Sequence, residues 1–148
     1  MKTLARRTSL AGFVAVALWT SVAAQEWTRF RGPNGTGIST DKRIPITWTE
    51  QDFRWRVPIP GEGHSQPVIW GNKLFLTTAI DNGKERALLC LNKDDGQEIW
   101  SKRYPLPTHR PQNRNGSYAN SSAVVDGERV IASFVSQDHF WVRAFDHA

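Results

Sequence analysis

Beyond the first 24 residues, hydrophobic and polar positions alternate along the chain with a period of two. The stretches 73–78 and 129–135 are rich in β-branched and apolar side chains, and 53–57 alternates three hydrophobic residues with two arginines. Such alternation is typical of half-buried strands, because successive side chains of a strand point to opposite faces. No stretch of about ten residues shows convincing helical periodicity. The pattern therefore predicts an all-β chain.

Turn signals separate the predicted strands. Gly-Asn, Asn-Gly and Asp-Gly pairs lie within 70–73, 81–84, 94–97 and 126–129. These pairs favour the positive φ angles that tight hairpin turns require. We therefore expect short antiparallel strands joined by hairpins.

The hairpins recur at a regular spacing. Residues 65–74 align with 121–130, with serine, valine and glycine at matching positions, and 87–92 align with 141–146. In both copies an apolar strand passes through a glycine turn into a basic residue and a second strand. Repeats of about 40–50 residues, each with four strands, are characteristic of β-propellers.

One segment of the repeat resembles the signature of PQQ-type β-propeller repeats, A-x-D-x-x-T-G-x-x-x-W. Gly96 and Trp100 match at the right spacing, whereas Cys90, Asn92 and Asp95 stand where Ala, Asp and Thr are usual. The resemblance implies that the small residue packs inward and that the asparagine hydrogen-bonds into the turn. It also implies a positive φ at the glycine and a tryptophan docked between neighbouring blades.

A second copy of the signature begins near the end of the chain, where Ala144 and Asp146 match its opening. Residues 27–38 also look like the N-terminus of secreted PQQ-binding-like repeat proteins. The chain thus resembles this quinoprotein-like family, which is related to the outer-membrane assembly propeller lipoprotein. The resemblance implies an all-β fold, the N-terminal fragment of a β-propeller with four-stranded PQQ-type blades.

The first segment has the layout of a secretory signal peptide. Lys2, Arg6 and Arg7 precede an apolar run over 10–22, and small residues lead to a cleavage site after Ala24. The run is shorter than the ~20 residues of a membrane helix, although a retained N-terminal anchor is the alternative. The arginine pair also leaves open twin-arginine export beside the general secretory route. We expect an exported protein, periplasmic or secreted, without a transmembrane segment after cleavage.

The remaining chain divides into two parts. Residues 25–52 form an N-terminal extension, and 53–148 form a partial propeller. Within the propeller we expect 53–57 to be a closing strand, 65–104 one full blade and 118–146 most of a second. The remaining blades of its own ring would then be missing. Such a fragment exposes an unpaired strand edge, so we expect it to aggregate when expressed alone.

Charge and cysteine content exclude several classes of function. Of 19 basic residues, three belong to the predicted signal peptide, so 16 basic face 14 acidic residues in the rest of the chain, a net charge of +2. That balance argues against nucleic-acid binding, which needs a dense basic surface. The single cysteine excludes an internal disulfide and any multi-cysteine metal site.

Candidate binding residues lie on the longer connections. The order of strands places the glycine turns at one end of the sheets and these connections at the other, near the mouth of a propeller channel, where ligands usually bind. Arginine offers a rigid bidentate fork for an anion, a sugar or a quinone carboxylate. The alternative is that these residues make ordinary hydrogen bonds between blades. The candidates are His64, His109, Arg110, Arg114, Asn115 and Tyr118.

No catalytic set or metal site can be assembled from local motifs. We therefore expect a non-catalytic binding or scaffolding module, and envelope assembly is one role that fits it. Its partner would be a protein or a small ligand at the propeller face. The alternative is a fragment of a PQQ- and calcium-dependent quinoprotein dehydrogenase. Those cofactors enter only if the full ring is a true quinoprotein, and this segment lacks the vicinal cysteine pair common in such enzymes. A propeller fused to a further domain is the third possibility.

Overall fold

The computed structural model describes residues 26–106 and 115–147, and its regular structure is β. The described residues contain seven strands, one 3₁₀ turn over Glu50–Asp52 and no α-helix. The all-β prediction is therefore confirmed. The predicted signal peptide, together with His109, Arg110 and Arg114, lies outside the described residues.

The strands form two antiparallel sheets in chain order. The first sheet contains β1 (Val68–Trp70), β2 (Lys73–Ile80), β3 (Glu85–Asn92) and β4 (Glu98–Pro105). The second sheet contains β5 (Val124–Val125), β6 (Arg129–Val135) and β7 (Phe140–Asp146). Every connection within a sheet is a hairpin, as the turn signals predict.

The sequence repeat is also a repeat of strand register. In the first sheet Val68 pairs with Phe75, and the equivalent positions of the second sheet, Val124 and Ile131, pair in the same way. Between the next two strands, Phe75 pairs with Cys90 and Ile131 pairs with Ala144. The two sheets are therefore copies of one unit in their hydrogen bonding as well as in sequence.

The main core lies between the two sheets. The face of the first sheet that carries Val68 and Phe75 packs against the face of the second sheet that carries Val130. Alternate residues of each strand therefore meet in the interface. The fully buried members are Val68, Phe75, Leu88 and Cys90 from the first sheet with Ala123 and Val130 from the second unit. Partly buried aromatic side chains surround this core.

An N-terminal segment joins the first strands of both sheets. The backbone of Trp27 exchanges hydrogen bonds of 3.2 and 2.8 Å with Ile69 of β1. The next carbonyl, that of Thr28, accepts a 2.8 Å bond from the amide of Val125 in β5. Residues 26–28 therefore satisfy edge groups of two separate sheets.

The repeat-signature residues take structural positions in the first sheet. Gly96 has a φ of +75°, and the side-chain oxygen of Asn92 accepts a 2.8 Å bond from the amide of Asp94 within the turn. Cys90 is fully buried in the main core. Trp100 lies beside Phe75, with ring centroids 5.9 Å apart, on the face that meets the second sheet.

The second copy of the signature differs in its surroundings. Ala144 and Asp146 are exposed, although Ala144 occupies the register position of the buried Cys90. The difference arises because a sheet covers that face of the first unit, whereas the described residues place nothing over the same face of the second.

The alternating segment 53–57 lies outside the strands. It pairs with no strand of the described residues, so its assignment as a closing strand stays a prediction. Its Trp55 instead packs on Gly96 and donates a 2.9 Å bond from Nε1 to the carbonyl of Lys93. Trp55 of this segment thus covers the β3–β4 turn.

Candidate functional site

The longer connections meet at one end of the sheets. The turns that contain Gly71, Gly96 and Gly127 lie at the opposite end, because alternate hairpins of an antiparallel sheet fall at opposite ends. The amide of His64 donates a 3.0 Å bond to the carbonyl of Ala119, which links the segment before β1 to the segment before β5. This loop end of the molecule is the candidate functional site.

Three of the predicted binding residues fall within the described chain. His64 and Asn115 are exposed, whereas Tyr118 is half-buried and packs on Gly83 in the β2–β3 turn. The backbone contact of His64 with Ala119 brings two of the predicted loops together. Their assignment to ligand binding stays a prediction.

A groove of about 350 Å³, lined in part by hydroxyl side chains, lies beside the His64 loop. Its hydroxyl groups bond to backbone within the protein: Ser65 Oγ donates to the carbonyl of Thr77 at 2.9 Å, and Thr78 Oγ1 donates to that of Pro60 at 2.6 Å. Thr77 Oγ1 in turn donates to the carbonyl of Ser121 at 2.9 Å. These hydroxyls hold the loops against the sheets.

An apolar cleft of about 210 Å³ opens between the ends of β4 and β7. The guanidinium of Arg143 lies 4.3 Å from the ring centre of Tyr104 and 5.1 Å from that of Trp141, and Phe134 completes the wall. The Nε1 of Trp141 is buried without a hydrogen-bond partner. The cleft therefore combines aromatic surface with a cation.

The most unusual group at the loop end is Arg86 in β3. Its side chain is fully buried, at 0% exposure, and its Cζ lies 4.9 Å from the ring centre of Tyr118. Its Nη1 donates to the carbonyl of Gly83, whereas Nε and Nη2 have no hydrogen-bond partner. Burial lowers the pKa of this guanidinium below its usual value, and Tyr118 partly opposes that shift.

Sequence reasoning about loops missed Arg86, because it lies in a strand. A signal was nevertheless present, since alternation places residues 86, 88 and 90 on one face. Leu88 and Cys90 belong to the main core, so the same parity puts an arginine into the interface between the sheets. Arginine is rarely fully buried without a partner, so an arginine at a core-facing position indicates a candidate functional residue.

The buried cysteine does not add reactive chemistry. Burial raises the pKa of the Cys90 thiol to about 11 from 9.0, with a smaller opposing effect of Lys73. The thiolate is the nucleophilic form of cysteine, so a raised pKa leaves this side chain a small core residue.

Neither metal clusters nor known proteins identify the site. Within 26–106 and 115–147, no group of three or more His, Cys, Asp or Glu side chains is placed to hold a metal ion. The same residues contain no helix with the length and hydropathy of a membrane span. No protein-family model matches the chain, and no curated protein matches it either.

Proposed function

We propose that this chain is the N-terminal part of an exported, PQQ-like β-propeller that acts as a non-catalytic binding or scaffolding module. The leader over residues 1–24 directs it to the periplasm or the exterior, and the loop end carries the partner surface. The proposal rests on the sequence repeat, the repeated strand register and one asymmetry of burial.

The asymmetry of burial carries the proposal. Val68 and Phe75 of the first sheet are fully buried by the second sheet. The equivalent side chains Val124 and Ile131 are 45% and 37% exposed, although their register is the same. A third unit packed in the same relation would cover this face of the second sheet, which is how a propeller grows around its axis.

The second sheet also exposes further apolar side chains and a strand edge. Val135, Phe140 and Val142 lie on the same face as Ile131 and are all more than one-third exposed. No described strand pairs with the outer edge of β7, whereas the first sheet has a fourth strand at the equivalent position. Exposed apolar faces and free edges favour association.

The binding part of the proposal is supported by the loop end. Two loops meet there through a backbone hydrogen bond, and the aromatic cleft lies at the same end of β4 and β7. Rigid strands that present loops of varied chemistry are a common design of binding proteins. Binding without turnover is therefore the function that this surface supports best.

The exposed face can be tested by sedimentation of the exported chain. We expect concentration-dependent self-association, and we expect Ile131→Lys with Val142→Lys to shift the chain towards monomer because lysines oppose packing of the face. Gln97→Lys, in an exposed turn of the first sheet, is the matched control and should not change the association. A monomer with a sharp, cooperative melt in the unsubstituted chain would refute the proposal.

The dehydrogenase alternative is distinguished by cofactor binding. Titration of the exported protein with PQQ and calcium should produce no saturable change in fluorescence, and dye reduction with alcohols or sugars should stay at background. Saturable binding together with turnover would replace the binding module by the quinoprotein alternative.

A further inference from the structure

The loop end holds a buried cation that lacks an anion. No carboxylate of the described residues forms an ion pair with Arg86, and only one of its three side-chain nitrogens has an acceptor. A guanidinium removed from water without acceptors is strongly unfavourable, whereas an apolar residue at such a position is often neutral or stabilising. This buried arginine therefore calls for an acceptor that residues 26–106 and 115–147 do not supply.

The geometry of the unused donors defines that acceptor. Nε and Nη2 lie on one edge of the guanidinium plane and present parallel N–H groups, while Nη1, on the other side, is occupied by Gly83. This edge is a fork that matches the two oxygens of a carboxylate. The guanidinium carbon lies over the Tyr118 ring, 4.9 Å from its centre, so the ring covers one side of the fork.

Acidic side chains near Arg86 in sequence are engaged elsewhere. Asp81 pairs with Lys84 at 3.2 Å, and Glu85 pairs with Arg103 at 3.4 Å. Glu85 also lies next to Arg86 in β3, so alternation points it to the other face of the sheet. The connection over residues 106–123 contains no Asp or Glu at all. These acidic neighbours in sequence therefore supply no acceptor to Arg86.

We propose that Arg86 is the base of a binding site for a small carboxylate anion. The carboxylate accepts two parallel hydrogen bonds from Nε and Nη2, and Tyr118 holds the guanidinium from one side. Arg86 and Tyr118 both belong to the residues described, so the site does not depend on completion of a propeller ring.

Equilibrium dialysis of the exported chain with labelled acetate tests the site. Acetate is the probe, with chloride and sulfate as competitors at equal ionic strength. We expect one saturable acetate site per chain that sulfate does not fill. Arg86→Lys keeps the charge but loses the fork, so it should weaken acetate binding by about tenfold or more. Dialysis measures binding in monomers and oligomers alike, so this result is independent of the self-association test.

A matched variant separates this site from general attraction to positive charge. Arg103→Leu removes an arginine from the neighbouring strand β4, where its ion pair lies on the outer face, and should bind acetate as the parent does. Arg86→Leu should show no saturable site, with its fold checked by circular dichroism. If that variant does not fold, Arg86→Lys decides. The absence of a saturable acetate site in the parent chain overturns the proposal, as does undiminished binding by Arg86→Lys or equal occupancy by sulfate.

Discussion

Two glycines with similar backbone angles and different surroundings give a test of how the segment over residues 53–57 docks on the first sheet. Gly96 has a φ of +75° and Gly71 a φ of +58°, so alanine at either position adopts a left-handed conformation. A Cβ at Gly96 would lie 2.6 Å from Cε3 of Trp55, whereas a Cβ at Gly71 would meet nothing within 4 Å. Only the first substitution disturbs a side-chain contact.

The expected losses follow from that difference. The left-handed conformation costs an alanine about 1 kcal/mol, and both variants share this cost. At Gly96 the half-buried ring of Trp55 must also move, which weakens its burial and its 2.9 Å bond to Lys93. A hydrogen bond and part of an aromatic side chain together contribute about 2 kcal/mol. We therefore expect losses of about 3 kcal/mol for Gly96→Ala and about 1 kcal/mol for Gly71→Ala.

Urea unfolding followed by far-ultraviolet circular dichroism measures both losses. In a Trp55→Ala background the ring is absent, so Gly96→Ala should cost no more than Gly71→Ala. Equal losses for the two alanines in the parent chain would show that Trp55 does not dock on the turn, and the reasoning would be wrong.

Three further outcomes are expected. The raised pKa and burial of Cys90 predict that a disulfide reagent labels the thiol at pH 8 only after unfolding in urea, and rapid labelling of the folded chain would contradict this. The amides of Glu128 and Arg129 lower the pKa of Asp126 below 3.8, so its contribution to stability is complete above pH 3.8 and is lost as the pH falls through the lower folded value. The Tm advantage of the parent over Asp126→Asn should shrink accordingly, and an advantage that is unchanged in strong acid would count against the hydrogen bonds. Mass spectrometry of the exported product should show loss of residues 1–24, whereas an intact leader would indicate a retained anchor.

Local patterns predict the strands because their causes are local. Alternation follows from the pleat of a strand and hairpins from the positive φ of Gly and Asn, so β2, β6 and the turn at Gly96 can be recognised without the fold. A strand also needs a partner, and 53–57 has none among the described strands despite its alternation.

Burial and pairing depend on distant residues, which explains what the sequence did not reveal. Val68 and Val124 occupy equivalent positions, yet one is covered and the other exposed because only one has a neighbouring sheet. For the site, the order of strands predicts that the longer connections lie at one end of the sheets, whereas the binding role of His64 and Tyr118 stays a prediction. The buried Arg86 was not predicted, because its lack of an acceptor is a property of the assembled interface.

The segment over residues 26–28 has a consequence for the order of folding. It is synthesised before all seven strands, but its hydrogen bonds are made with β1 and, much later in the chain, with β5. Each hairpin can form from neighbouring residues, whereas these contacts close a long loop and are entropically late. The bond from the amide of Val125 to the carbonyl of Thr28 therefore cannot form before the second sheet does. Substitutions that remove the hydrogen bonds of residues 26–28 should slow the joining of the two sheets, whereas the hairpins should still form.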